Sequence, residues 1–254
     1  MKRRASQAVT ERNLPILSRI KEIKAEHPFW GYRRTWAHLR YIDGMNVNKK
    51  RILRLMQSHD LIVKPNARLK AIRTPTKSKP QPTRPNQWWG IDMTKVMVKD
   101  FGWMYIVVVL DWYTKKIVGY YAGLQCRSRQ WLEALEEAVN RQFPQGVRDQ
   151  GLCMMSDNGS QPTSVGFMQA CRALDIHQAF TSYNNPKGNA DTERVFRTMK
   201  EELLWLREWT TPFELADEIK QWVEYYNQSY LHSALGYKSP VTFEKEYQEA
   251  VLLT

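Results

Sequence analysis

Apolar positions in the N-terminal part of the chain recur at helical spacing. Leu17, Ile20 and Ile23 fall every three residues, which is typical of one buried face of a helix. A second helix is predicted over residues 33–41. A third is predicted after Asn48, because asparagine is a favourable residue at the start of a helix. This pattern predicts a small domain of short helices.

Beyond the proline-rich middle of the chain, the apolar positions form short runs that are typical of buried strands. Three strands follow one another, and helices then alternate with two further strands. The predicted strands are 88–98, 103–111, 117–124, 152–156 and 176–180, and the predicted helices are 128–143, 165–174, 190–208 and 212–228. This order favours an α/β fold with a mixed five-stranded sheet flanked by helices, as in ribonuclease H-like folds, preceded by a small all-α helix-turn-helix-like domain.

Residues 71–87 separate the two patterns. This segment contains four prolines and no apolar periodicity, which is typical of a semi-extended linker. We therefore predict a basic helical domain at residues 1–70, a linker at 71–87, and an α/β domain with C-terminal helices at 88–254.

The charge is divided unevenly between these regions. Residues 1–87 contain 21 Lys and Arg against 5 Asp and Glu, whereas residues 88–254 contain 17 against 21. Such a division favours a polyanion-binding module joined to a slightly acidic one, and nucleic acid is the leading partner class.

The third predicted helix concentrates this positive charge. Its outer surface carries four cations, which we expect to contact DNA phosphates: Lys49, Lys50, Arg51 and Arg54. A small helical bundle with a solvated basic face remains the alternative interpretation.

Composition excludes several other classes of protein. The 43% hydrophobic and 12% aromatic content is that of a folded chain rather than a disordered one. No apolar run approaches 18 residues and no apolar signal core follows the basic N-terminus, so neither a membrane partner nor secretion is expected. Cys126, Cys153 and Cys171 lack metal-ligand spacing, and we expect buried thiols in a reducing cytoplasm.

Three acidic residues are candidates for chemistry. Asp92 interrupts an apolar strand, Asp157 follows the fourth predicted strand, and Glu193 begins a later helix. If the first and fourth strands are neighbours, these carboxylates converge, and they repel one another unless a divalent cation neutralises them. Oxygen ligands favour Mg²⁺ or Mn²⁺, and two such ions can support phosphoryl transfer. Each acid alone also fits a turn, cap or solvated position, and Asp191 remains a rival to Glu193.

Cations near Glu193 add a second prediction. Glu193, Arg197 and Lys200 are spaced four and three residues apart, so they share one helix face. That face can hold metal at one end and DNA phosphate along the rest. A salt bridge between Glu193 and Arg197 is the alternative. Lys187 lies in the loop before this helix, where we expect it to reach phosphate.

Several motifs resemble those of a known family. The second domain resembles the catalytic core of the retroviral-integrase-like DDE transposases, in particular the OrfB subunit of bacterial insertion sequences with two reading frames. The segments that carry the resemblance are "SDNGSQPTS", "NNPKGNADTERVFRTMKEEL" and "YNQSYLHSALGYKSPVTFE", together with "GYRR" and "VNKKRILRLM" in the N-terminal part. The resemblance implies that Asp92, Asp157 and Glu193 are the catalytic and metal-binding triad, that Asp191 is a bystander, and that Lys200 contacts DNA.

The same resemblance implies a function and its partners. The chain would be a transposase that cleaves DNA at element ends and transfers the resulting 3′-hydroxyl to target DNA. It would act as a homo-oligomer on double-stranded DNA near the bacterial nucleoid, and an upstream-frame partner subunit is possible. The alternatives are a DNA-binding regulator with a non-catalytic core and a ribonuclease H-like nuclease without strand transfer. No cysteine precedes Cys126, so the zinc-binding N-terminal domain of retroviral enzymes is not expected.

Overall fold

The computed structural model describes residues 7–63, 80–181 and 188–253. The chain divides into two compact units, Met1–Arg73 and Thr74–Thr254. Most of the predicted linker, residues 71–79, lies outside the described residues. Within the described segments, no helix combines the length and apolar character needed to span a bilayer.

Three helices pack around one apolar core in the N-terminal unit. They are α1 (Gln7–Glu26), α2 (Tyr32–Ala37), which continues as a π-helical turn (His38–Ile42), and α3 (Lys49–Ser58). The core side chains are Ile16, Ile20, Ile23, Trp30, Leu39, Ile52, Leu55 and Met56. Of the predicted core positions in α1, Leu17 is only half-buried, and Ile16 takes the buried place beside it.

A five-stranded mixed sheet forms the centre of the second unit, as the sequence predicted. Its strands are β1 (Trp88–Val98), β2 (Gly102–Asp111), β3 (Ile117–Gly123), β4 (Cys153–Ser156) and β5 (His177–Phe180). The spatial order is β3-β2-β1-β4-β5. The first three strands are antiparallel, whereas β4 runs parallel to β1 and β5 runs parallel to β4.

Helices cover both faces of the sheet. They are α4 (Ser128–Gln142), α5 (Val165–Ala173), α6 (Ala190–Met199) with a π-helical turn (Lys200–Leu204), α7 (Pro212–Ser229) and α8 (Pro240–Leu252). Ile106, Val108 and Leu110 of β2 belong to the core shared with α6 and α7. Val107 and Val109 belong to the core shared with α4 and α5. Because both faces of β2 are covered, this strand reads as a continuous apolar run.

The C-terminal helices differ from the prediction in two respects. The helix predicted over 190–208 ends its helical turns at Leu204, where the indole nitrogen of Trp209 donates to the Leu204 carbonyl at 3.1 Å. The sequence interpretation also omitted α8. Its start carries the usual signals, because the Ser239 hydroxyl accepts the Thr242 N–H at 3.3 Å and Pro240 occupies the first helical position.

The pairing of β1 with β4 sets the position of the candidate site. Trp88, Trp89 and Gly90 pair in parallel with Cys153, Met154 and Met155, respectively. Asp157 follows directly after β4, and Asp92 lies two residues beyond Gly90 on β1. The register therefore brings residues that are far apart in the sequence to neighbouring points of the sheet.

Candidate active site

Asp92 lies within β1, half-buried and opposite Val108 of β2. Its carboxylate accepts the N–H of Met93 at 2.8 Å. Burial, together with the nearby carboxylates of Asp157 and Glu193, raises the pKa of Asp92 to about 6. Its charged form is therefore disfavoured at this place, and a nearby cation would stabilise it.

Asp157 occupies a turn whose geometry presents the acid to solvent. The carboxylate accepts the N–H of Gly159 at 3.0 Å, which is the bonding of an Asx turn. Asn158 donates from its side chain to the Thr181 carbonyl at 2.6 Å, which ties the turn to the end of β5. The turn therefore holds Asp157 at the exposed carboxyl end of β4.

Gln161 anchors the same loop from its other side. Its side-chain amide donates to the Cys126 carbonyl at 3.2 Å, between β3 and α4. Sequence reasoning included Gln161 in a motif without giving it a role. Its pairing with a carbonyl 35 positions away is a tertiary contact that no local pattern reports.

Glu193 lies in the first turn of α6, with an exposed side chain. This turn packs directly on Gly90. A Cβ atom at Gly90 would come within 2.6 Å of Asn189 Oδ1, and closer still to Thr192 Oγ1 and Trp112 Nε1. The Asn189 amide also donates to the Ile91 carbonyl at 3.2 Å. Glycine at position 90 therefore allows the helix that carries Glu193 to approach the strand that carries Asp92.

Asp191, the rival of Glu193, has a different partner. One of its carboxylate oxygens lies 2.9 Å from the Lys115 ammonium, in the turn between β2 and β3. Both side chains are mostly buried, with 21% and 27% of their surface exposed. The carboxylate of Asp191 is thus engaged in an ion pair, whereas that of Glu193 acts on Asp92.

The cations predicted on α6 occupy distinct environments. Lys200 lies close enough to Asp92 to lower the pKa of that carboxyl. Arg197 is largely exposed and pairs with Glu201 at 2.9 Å. Lys187 lies outside the described residues.

The basic helix α3 presents only part of its charge to solvent. Lys50 and Arg54 are exposed, one turn apart. Lys49 lies over the Trp36 ring, 4.0 Å from its centroid. The Arg51 guanidinium donates to the Asn13 side chain and to the Arg12 carbonyl, both at 2.9 Å. Arg51 is thus hydrogen-bonded to α1. The four cations of α3 are therefore not equivalent, and only Lys50 and Arg54 are exposed.

Asp92, Asp157 and Glu193 offer carboxylate oxygens, which are suitable ligands for a divalent metal ion. Within residues 7–63, 80–181 and 188–253, no three acidic, histidine or cysteine side chains lie close enough together to hold an ion as they stand. The raised pKa of Asp92 nevertheless reports that Asp157 and Glu193 act on it electrostatically. The three carboxylates repel one another, and one of them is half-buried. A hard divalent cation fits such a group because it would neutralise the repulsion.

Comparison with known proteins defines the class of this fold and site. Residues 82–186 and 174–240 match integrase core domain families, and residues 11–68 match an HTH-like domain family. The structure of a simian T-cell lymphotropic virus intasome in complex with PP2A regulatory subunit B56 gamma has a similar fold. Its TM-score is 0.52 at 16% identity, over 89% of this chain and 73% of that one. Integrase core domains depend on divalent metal.

Sequence relatives narrow the class further. The chain is 31% identical over 258 residues to the transposase for insertion sequence element IS904 of Lactococcus lactis subsp. lactis, covering 96% of this chain and 99% of the relative. It is 27% identical to the transposase InsD for insertion element IS2A/D/F/H/I/K of Escherichia coli, covering 89% and 76%. The chain belongs to the insertion-sequence transposases with an integrase core, a class of DDE polynucleotidyl transferases that carry out transposition.

Proposed function

We propose that Asp92, Asp157 and Glu193 are the catalytic triad of this transposase and together hold its metal. The observation that supports the proposal is that Asp157 and Glu193 each lie near enough to Asp92 to raise the pKa of its carboxyl. The parallel register of β1 with β4 and the approach of α6 to Gly90 supply the geometry.

The proposed reaction has two steps at this site. Water attacks a phosphodiester at the element end, which breaks its P–O3′ bond and leaves a 3′-hydroxyl and a 5′-phosphate. That 3′-hydroxyl then attacks a phosphodiester of the target DNA, which forms a new P–O3′ bond and releases a 3′-hydroxyl of the target strand. Two Mg²⁺ or Mn²⁺ ions, when bound, would activate the attacking oxygen and stabilise the leaving one. Asp92 would hold metal from inside the sheet, while Asp157 and Glu193 would hold it from the solvent side. No covalent bond between protein and DNA is part of this scheme.

Cations beside the triad would bind the DNA backbone. Lys200 acts electrostatically on Asp92, so its ammonium is close enough to neutralise a phosphate next to the reacting one. Arg197 lies on the same helix, largely exposed, and can exchange Glu201 for phosphate at little cost because exposed ion pairs contribute little. We assign Lys187, which precedes α6 in the sequence, the same role on sequence grounds alone.

The N-terminal unit would bind the element ends. Lys50 and Arg54 are the residues of α3 best placed for phosphate, because both are exposed on adjacent turns. Lys49 lies over an aromatic ring and Arg51 bonds to α1, so we assign them mainly to the architecture of the unit.

We further propose that the transposase acts on bacterial nucleoid DNA as a homo-oligomer, with an upstream-frame subunit as a possible partner. The proposed domain limits are 1–70, 71–87 and 88–254.

Cleavage and joining of element-end DNA test the proposal. Asp157→Asn should lose both reactions in Mg²⁺ while its DNA binding persists, because the substitution removes a carboxylate charge and little volume. Asp100→Asn is the matched control, since Asp100 occupies an exposed turn with a positive φ that asparagine accepts. Full activity of Asp157→Asn would refute the triad. Cleavage by the wild-type chain without joined products would instead indicate a nuclease.

A further inference from the structure

The turn between β2 and β3, residues 111–117, is held rigidly by a buried carboxylate. Asp111 is 1% exposed. Its oxygens accept the N–H groups of Asn86 at 2.5 Å, Tyr113 at 2.8 Å and Thr114 at 2.7 Å. Because one side chain satisfies three backbone donors, the conformation of this turn is strongly specified.

Successive residues of this turn contact three different helices. Lys115 pairs with Asp191 of α6 at 2.9 Å, and Lys116 pairs with Glu244 of α8 at 2.5 Å. Both the N–H and the carbonyl of Ile117 bond to the side chain of Asn227 in α7, each at 2.9 Å. The turn therefore connects the C-terminal helices to the start of α6.

The ion pair between Lys115 and α6 has a defined geometry. The Lys115 ammonium also donates to the Trp112 carbonyl at 2.5 Å, so its direction is fixed from within the turn. The Trp112 indole nitrogen and the Thr192 hydroxyl of α6 both lie close to the position that a Cβ atom at Gly90 would occupy. Lys115 and Trp112 thus hold one side of the first turn of α6 against the sheet.

Helical geometry relates this contact to Glu193. Asp191 and Glu193 are two residues apart, so their side chains project about 200° apart around the helix axis. An ion pair that fixes Asp191 on one side therefore fixes the direction of Glu193 on the other. The rotation of α6 about its own axis is the quantity that the pair controls.

We propose that Lys115 is a positioning residue for the transposase: through its ion pair with Asp191 it sets the orientation of Glu193 toward Asp92. The inference rests on the proposed role of the triad. Lys115 touches neither substrate nor metal in this account, and it acts only through α6. Asp191 is then a positioning residue as well, and not a rival ligand.

Mn²⁺ binding to the full chain, followed by electron paramagnetic resonance of free Mn²⁺, tests the inference without requiring catalysis. Lys115→Met and Asp191→Asn should each weaken Mn²⁺ binding about 10-fold, as is usual for residues that orient metal ligands. The double variant should be no worse than either single one. Lys115→Arg, which keeps the charge, should bind within about 3-fold of wild type.

Lys116→Met is the matched control. It removes an ion pair from the same turn whose lysine is as buried as Lys115, but whose acidic partner lies in α8 and not in α6. The inference predicts unchanged Mn²⁺ binding for Lys116→Met, with thermal unfolding showing a loss of stability similar to that of Lys115→Met. Equal loss of Mn²⁺ binding in both variants, or none in Lys115→Met, would overturn it.

Asp157→Asn separates this inference from the proposed triad. If Asp157→Asn abolishes Mn²⁺ binding and Lys115→Met leaves it unchanged, only the positioning role is wrong. If Asp157→Asn leaves Mn²⁺ binding unchanged, the triad itself is wrong, and the positioning role is rejected with it.

Discussion

The two units of this transposase organise their charged residues in opposite ways. In the N-terminal unit, four cations occur within residues 49–54 of a single helix. In the second unit, the proposed catalytic carboxylates come from β1, from the end of β4 and from α6. The cationic face is formed by neighbouring residues of one helix, whereas the acidic site requires the whole sheet and a helix packed on it.

This difference predicts different sensitivities to substitution. A locally assembled cationic face should lose function gradually, because each phosphate contact contributes a separate increment. A site assembled from three distant segments should fail completely when one member is lost or moved.

Glu193→Gln should reduce strand cleavage by at least about 1,000-fold, as expected for a residue that acts together with two others. Asp191→Asn, two positions away on the same helix, should reduce it by only about 10-fold, as for an orienting residue. Single-turnover cleavage of labelled element-end DNA measures both. The reverse ranking would make Asp191 the ligand and exclude the proposed assignment.

Gly90→Ala should displace the start of α6, because the new methyl group would meet Thr192, Trp112 and Asn189. We expect a loss of about 1–3 kcal/mol in the free energy of unfolding, which is typical of an overpacked core, together with a loss of cleavage. Chemical denaturation and the cleavage assay measure the two effects.

Gly119→Ala is the control for Gly90→Ala. A Cβ atom at Gly119 would meet the backbone of Ala134 and Ala138 in α4, on the opposite face of the sheet. A comparable loss of stability with cleavage retained in the remaining folded protein would show that the position of α6 matters specifically. Loss of cleavage in both variants to the same extent would attribute the effect to general destabilisation.

Asp92→Asn should stabilise the metal-free protein at neutral pH. The pKa of Asp92 is about 6 in the folded state, against 3.8 for an ordinary aspartate, so the folded state binds this proton more tightly than the unfolded chain does. Wild-type stability therefore falls as pH rises from about 4 through 6. The variant should exceed wild type by roughly 1–3 kcal/mol at pH 7.5 and by almost nothing near pH 4.

Urea denaturation at several pH values, with a chelator present, measures this difference. Asp100→Asn, at an exposed turn, is the control for the loss of one carboxylate. A constant difference between Asp92→Asn and wild type across the same range would mean that burial and the neighbouring carboxylates do not raise the pKa of Asp92.

Lys50→Ala and Arg54→Ala should each weaken DNA binding only a few-fold and lower the salt slope of the binding constant by about 1. Arg51→Ala should leave the salt slope unchanged and instead destabilise the N-terminal unit by about 1 kcal/mol, because it removes two hydrogen bonds to α1. Fluorescence anisotropy over a series of salt concentrations, with thermal unfolding, separates the two behaviours. A reduced salt slope of the binding constant for Arg51→Ala would mean that Arg51 contacts DNA phosphate.

The sequence predicted those features that local patterns encode. The succession of strands along the chain followed from apolar runs and turns, and Asn48 does cap α3 by accepting the Lys50 N–H at 2.8 Å. Asp157 was identifiable because its motif places a carboxylate directly after a buried strand. Each acid alone also fitted a turn, cap or solvated position, so the triad was predicted only from the joint resemblance of several short segments to a known family.

Contacts between distant segments were not predictable in the same way. Helical periodicity places Arg51 outside, but only the packing of α1 shows what it bonds to. The close approach of α6 to Gly90 involves Asn189 and Thr192 at the start of α6 and Trp112 in the turn between β2 and β3. The ion pair between Lys115 and Asp191 joins residues 76 positions apart, and no local sequence pattern relates the two.

Joining of pre-cut DNA is the most direct test of the central claim that three carboxylates form one site for both steps. The substrate already carries the 3′-hydroxyl, so the assay isolates strand transfer from cleavage. The account predicts that Asp92→Asn, Asp157→Asn and Glu193→Gln each lose joining by at least about 1,000-fold while Asp100→Asn retains it. Joining at the wild-type rate by any one of the three would contradict the account.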